Sequence, residues 1–181
     1  PVTVLYSGQM GRMHDTATLI AALSSVEAPS DVLFRFHASG AGYRGLRAAL
    51  AGRPGCEFGS PLGAIEWREQ MRQAQVALVT ITRGAENVVM PSKSYSALTA
   101  GQAILAICPF DSDLAALVRR HDCGWVVEPG DVEGLRSILV ELAQHPHELL
   151  RRRINAFHAG HEHYDSRHVA DTWINLLGRL R

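Results

Sequence analysis

A chain of 181 residues, 46% hydrophobic and 20% charged, has the size and composition of one soluble domain spanning 1–181 with room for a sizeable core. Lysine plus arginine and aspartate plus glutamate balance at 18 each, so no net field draws the protein to nucleic acid or to an anionic surface. The three cysteines, Cys56, Cys108 and Cys123, lack CxxC spacing, and no apolar run approaches transmembrane length, which argues against a disulfide framework and an integral membrane protein. Free thiols and the absence of a signal peptide point to the cytoplasm. The chain starts at Pro1, directly on a strand and without methionine, as expected of a domain taken from a longer protein.

In chain order, Val2 to Tyr6 is a β-branched apolar run that turns at Ser7-Gly8, and Thr16 to Val26 has apolar residues at helical spacing (Leu19, Ala22, Leu23, Val26). Val32 to His37 is a second strand, Tyr43 to Leu50 a helix, Cys56 to Phe58 a short third strand and Ile65 to Gln73 a helix. Val76 to Ile81 is an unbroken apolar strand. A helix then opens at Pro91-Ser92-Lys93, runs to Gly101 and leads into the apolar run Ala103 to Ile107. Ser112 to His121 is helical, with Asp113 near its start and Arg119, Arg120 and His121 at its end, as the helix dipole favours. Trp125 to Val127 forms a sixth strand, Asp131 caps a helix reaching Ala143, and two further helices occupy about 146–181. Strands that are unbroken apolar runs separated by helices predict a doubly wound, mostly parallel six-stranded sheet of the α/β class, covered on both faces. Such sheets bind ligands outside the carboxyl ends of their strands, where the strand order reverses.

Three strand-to-helix turns supply the candidate site. Pro91 suits a first helical position, and the free N–H groups of Ser92 and Lys93 lie at the positive end of the dipole, a seat for a phosphate. The stretch before that helix holds Gly84 and one carboxylate, Glu86. The first turn, Ser7 to Asp15, offers Gly8 and Gly11 for close backbone approach, Arg12 as a forked donor, His14 as donor or acceptor and Asp15 as a helix cap. The second, Gly40-Ala41-Gly42-Tyr43-Arg44-Gly45, is a formal G-x-G-x-x-G, and Glu57 stands roughly where a dinucleotide fold keeps its ribose carboxylate. The match lies after the second strand rather than the first. A nicotinamide or flavin oxidoreductase is therefore a minor alternative, and a tight turn the plainer reading.

Four segments, in order and spacing, resemble the C-terminal, donor-binding half of a GT-B glycosyltransferase, and most of all the retaining, glycogen-synthase-like family 4 of bacterial surface-polysaccharide enzymes. They are YSGQMGRMHDTATLIAAL, FRFHASGAGYRGL, VVMPSKSYSALTAG and CGWVVEPGDVEGL. The resemblance covers nearly the whole chain and implies a Rossmann-like domain that binds a nucleoside diphosphate sugar, a UDP-sugar foremost, with no metal. It implies that Gly8 and Gly11 line the loop facing the sugar-phosphate, with Arg12 and His14 as polar contacts to the diphosphate or sugar, and Gly40, Gly42 and Glu86 are counted among the substrate-binding residues. Pro91, Ser92 and Lys93 would hold the diphosphate, with Lys93 and Arg12 stabilising the leaving group. Tyr95 and Ser96 would lie near the ribose, and Pro61 and Leu62 near the base.

The resemblance further implies an acceptor site, for a glycan or lipid-linked acceptor, in an N-terminal domain beyond this chain, and hence little turnover by the chain alone. Two departures stand out. Aligned on Ala100-Gly101, the family's paired glutamates fall on Val88 and Ser96, and its first-loop arginine and lysine fall on Gln9 and His14. These changes suit a binding module without chemistry as the alternative function.

The C-terminal stretch HAGHEHYDSRH gathers His158, His161, His163 and His168 with Glu162 and Asp165. With no HExxH pattern, and with Gly160 expected to break the helix, solvated polar residues explain it better than zinc. Arg151 to Arg153 could touch an anionic membrane at the inner face, though a solvated helix surface is the plainer reading. Val169, Trp173, Ile174 and Leu177 make an apolar stripe, and Trp67 is expected as partial core.

Overall fold

In a computed structural model of the chain, the residues described are 1–24, 31–89, 91–165, 170, 173–175 and 177–178. Val26, His168 and Val169 lie outside them.

The strands are β1 (Val2–Gln9), β2 (Val32–Ser39), β3 (Cys56–Gly59), β4 (Val76–Thr80), β5 (Ala103–Ile107) and β6 (Gly124–Val127). They form one sheet of order β3-β2-β1-β4-β5-β6, and every neighbouring pair is parallel. Between them run α1 (Ala17–Leu23), α2 (Ala41–Leu50), α3 (Ala64–Gln73), α4 (Ser92–Thr99) and α5 (Asp113–His121), followed by α6 (Val132–Gln144) and α7 (Pro146–His163). This is the doubly wound α/β domain the apolar runs predict. All five residues of β4 and all five of β5 are buried, because a parallel strand in mid-sheet has helices on both sides and no polar face.

Alternation along the strands divides the core. Val4, Tyr6, Val76, Leu78, Leu105 and Ile107 face α1, α2 and α6, while Ala77, Val79, Ile104 and Ala106 face α4, α5 and α7. A third, small cluster joins Leu5 of β1 to Met71 and Ala74 at the end of α3. Strand order reverses between β1 and β4. There, on the α3–α4 side of the sheet, Leu5 and its register partner Ala77 lie between α3, which packs on β1, and α4, which packs on β4 and β5.

Two expectations need correction. Pro91 is the N-cap of α4 rather than its first residue, because its ψ of 112° is extended, and the helix ends at Thr99 ahead of Gly101 at φ 66°. Gly160 does not break a helix. It lies buried within α7, where a Cβ would sit 2.7 Å from the backbone of Leu98 and Thr99, so glycine is what lets α7 press against α4.

Candidate functional site

The first and third turns meet at the strand-order reversal. Lys93, in the first turn of α4, reaches across to β1: its Nζ lies 3.3 Å from the carbonyl oxygen of Gln9 and 5.1 Å over the Tyr6 ring. Tyr6 is fixed beneath it, its hydroxyl donating to that same carbonyl at 2.5 Å. Gly8, at φ 113°, makes the crossing feasible, since a Cβ there would come within 3.3 Å of the Lys93 side chain. Burial alone pushes the Lys93 ammonium below its ordinary pKa, and no carboxylate among the described residues offsets it. A half-buried cation without an anionic partner among the described residues can seat a ligand anion. The N–H groups of Ser92 and Lys93 open α4 beside it, where no intrahelical acceptor is available to them.

His14 joins this cation. Its Nδ1 accepts the N–H of Gly11 at 3.1 Å, which requires that nitrogen to be unprotonated and leaves Nε2–H as the donor. Burial, and then the charge of Lys93, hold His14 below the ordinary imidazole pKa. The loop itself is braced from below. The Asp15 carboxylate accepts the Thr18 N–H at 2.9 Å and the Thr18 hydroxyl at 3.0 Å, and that hydroxyl accepts the Gly130 N–H at 2.8 Å. The Pro-Gly-Asp turn after β6 is thus tied to the loop after β1.

Below Lys93 a cleft of about 260 Å³ descends between α3 and α4. Gly8, Ser92, Lys93 and Ser96 of the expected site line it, together with Ser7. Leu5, Ala77 and Leu78 form its floor, Trp67 and Met71 its α3 wall, and Gln102 its deep end. The Gln102 amide nitrogen donates to Met71 O at 2.9 Å and Ala74 O at 3.5 Å, tying the end of α3 to the start of β5. Trp67 is half-buried against the Leu5 cluster and also walls the cleft, so the expected core role is only part of its position. Trp67, Met71, Ser96 and Ala100 border a further groove that continues past Tyr95 and Tyr164.

Other expected residues stand apart from the cleft. Arg12 is exposed, with no hydrogen bond or ion pair among the described residues, and does not line the cleft. Glu86 closes its own turn, accepting the Gly84 N–H at 2.6 Å. Tyr95 packs on Tyr164, ring centroids 5.1 Å apart, along the second groove. Pro61 and Leu62 lie in the β3–α3 loop and do not line the cleft. Gly40 and Gly42 face protein backbone: a Cβ on Gly40 would meet Met10 O at 2.4 Å, and one on Gly42 would meet Gly11 O at 2.9 Å. The G-x-G-x-x-G turn therefore packs under the Gly11 loop, and Glu57 is paired with Arg35 at 2.8 Å rather than left for a ribose.

Among the described residues no three histidine, cysteine or acidic side chains converge on a metal position, and no helix is long and apolar enough to cross a membrane. His158 pairs with Glu162, and His121 packs against His163 and Tyr164. Arg151 binds Asp122 and Glu148, Arg152 binds Asp122 and covers the Trp125 ring, and Arg153 donates to Gly101 O.

No protein-family model and no curated protein sequence matches the chain. Solved structures do. An Anabaena protein, HepE, in complex with UDP-glucose superposes with a TM-score of 0.78 at 15% identity, over 98% of this chain and 48% of that one. The fold is that of one half of a GT-B glycosyltransferase. The catalytic domain of the cholesterol-α-glucosyltransferase from Helicobacter pylori superposes at 0.71 and 14% identity, over 90% of this chain and 98% of that one. Sucrose-phosphate synthase from Thermosynechococcus elongatus superposes at 0.75 and 18% identity, over 99% of this chain and 45% of that one. The chain thus spans about half of HepE and of the synthase.

Proposed function

We propose that this chain is the nucleotide-sugar-binding half of a glycosyltransferase, of the retaining, family 4 kind that builds bacterial surface polysaccharides. The observation that carries the reading is the unpaired, half-buried Lys93 at the mouth of a cleft whose size suits a nucleoside. A nucleoside diphosphate placed there has its phosphates at Lys93 and the first amides of α4, and its nucleoside in the cleft. The donor's sugar then extends under the first loop, toward His14 and the free Arg12.

Breaking the glycosidic bond leaves negative charge on the diphosphate, and fixed positive groups lower that barrier without a metal. Lys93, the α4 dipole and Arg12 are those groups. A UDP-sugar is the favoured donor, in keeping with the UDP-glucose bound to HepE. The acceptor, a glycan or a lipid-linked sugar, belongs to a further domain that completes the enzyme, so the chain alone binds donor and turns over little. Cytoplasmic location follows from the donor. Any approach to the inner membrane face comes through the acceptor, because Arg151, Arg152 and Arg153 are already engaged within the fold.

One feature favours a non-catalytic nucleotide-binding module: the positions of the family's two glutamates hold Val88, which is exposed, and Ser96. Calorimetric titration with UDP tests the common core of both readings. Wild-type chain is expected to bind, and Lys93→Ala to lose about tenfold or more, roughly 1.4 kcal/mol. Equal binding by the two would remove Lys93 from the site. Donor hydrolysis or transfer by the chain joined to its acceptor domain then separates enzyme from module.

A further inference from the structure

We infer that the site does not discriminate ribose from 2′-deoxyribose, so that deoxyribonucleoside diphosphates are ligands on a par with their ribonucleoside counterparts. The inference rests on the proposed reading of the cleft as a nucleotide site and concerns which nucleotides it admits.

The cleft has a direction. Its anion seat is at the top, at Lys93 and the opening amides of α4, and its closed end is at Gln102. Ser96 lies four residues after Ser92 on the same helix, one turn deeper on the same face. The first group beyond the phosphates is the pentose, so the pentose comes level with Ser96. The base then lies deeper, against Trp67, Met71 and Leu5.

At the level of the pentose the cleft offers little to hold a diol. A carboxylate there would accept both ribose hydroxyls through charge-assisted hydrogen bonds and would be left unpaired by a deoxy analogue, which is how a site rejects a ligand lacking one hydroxyl. No carboxylate lines the cleft among the described residues. Glu86 is held by the Gly84 N–H outside it. Asp165 borders only the second groove, beyond Ser96, and has an interaction of its own. What remain at this level are the hydroxyls of Ser96 and Ser7, neutral and only half-buried, which water can serve when the ligand's hydroxyl is missing. Gln102 Oε1, without a partner among the described residues, lies at the closed end, below the pentose. The neighbouring apolar groups, Ala77 on the floor and Met71 on the α3 wall, suit a methylene where ribose carries a hydroxyl.

The test is calorimetric titration of the chain with UDP and dUDP, which differ by one oxygen, and with dTDP. The expected result is dUDP within about threefold of UDP, and dTDP bound as well. Ser96→Glu, checked for an unchanged melt, is expected to open a gap of about tenfold or more in favour of UDP. Asp165→Asn should leave the ratio alone. A wild-type preference for UDP of tenfold or more over dUDP would overturn the inference while leaving the nucleotide site standing. So would a folded Ser96→Glu protein with no change in the ratio, since the pentose would then lie elsewhere. Failure of every nucleoside diphosphate to bind would remove the nucleotide site itself, and this inference with it.

Discussion

Gly8 and Gly40 invite the same interpretation in sequence and have different meanings in the fold. Gly8 lies at the end of β1 and Gly40 directly after β2, and both have φ near 110° (113° and 110°). A side chain on Gly8 would meet the flexible end of Lys93, whereas one on Gly40 would meet the carbonyl of Met10 at 2.4 Å. The first glycine leaves room for a cation at the mouth of a cleft. The second lets α2 start against the loop that carries His14. A glycine pattern states that backbone comes close to something; only the partner decides whether that something is a ligand or the protein itself.

Substituting the two glycines puts the contrast at risk. Gly40→Ala combines a disfavoured φ with a collision against backbone that cannot swing away, and is expected to cost about 4 kcal/mol or more in urea unfolding. Gly160→Ala, also directed at backbone, should cost about 2–3 kcal/mol by forcing α7 from α4, with UDP binding kept in whatever fraction folds. Gly8→Ala should cost only about 1–3 kcal/mol, from φ, because the Lys93 side chain can yield. Its signature is weaker UDP binding in a folded protein, seen by calorimetry. If Gly8→Ala proved as destabilising as Gly40→Ala, the distinction between cleft and brace would fail.

The smallest effect concerns protons. His14 is held below its ordinary value of 6.5 in the fold, so the unfolded chain binds more protons than the folded one as pH falls through 6.5. Its contribution therefore favours folding less and less below that pH. His14→Gln, which can still accept the Gly11 N–H, should lose less stability than wild type between about pH 7 and pH 5 in urea titrations. Parallel curves would mean that His14 is not held neutral by its surroundings.

Much of the fold was legible because its signals are local. Val76 to Ile81 and Ala103 to Ile107 read as strands covered on both faces, and Ser112 and Asp131 each accept an N–H from three residues on, at the helix starts they mark. Gly160 misled because a glycine in a helical stretch has two explanations, a break or a close approach, and the second needs a partner helix to be visible. The candidate cleft was legible where charge met a helix start, since Ser92 and Lys93 line it. Met71 and Gln102 carried no signal of their own, and Trp67 only that of a helix residue of mixed polarity. Their place in the cleft comes from a gap between α3 and α4 that no local pattern encodes.

By itself, then, the sequence determined the element types, the parallel sheet and the chemistry gathered at the opening of α4, because periodicity, caps and dipoles act over a few residues. Tertiary structure decided that β1 lies beside β4, which brings Lys93 over Gly8 from 85 positions away along the chain. It also decided that the Gly40 turn packs against the backbone of Met10 and Gly11, and that no carboxylate among the described residues lines the cleft. Those outcomes depend on which surfaces meet once the helices are packed, and packing is settled by the whole sheet at once.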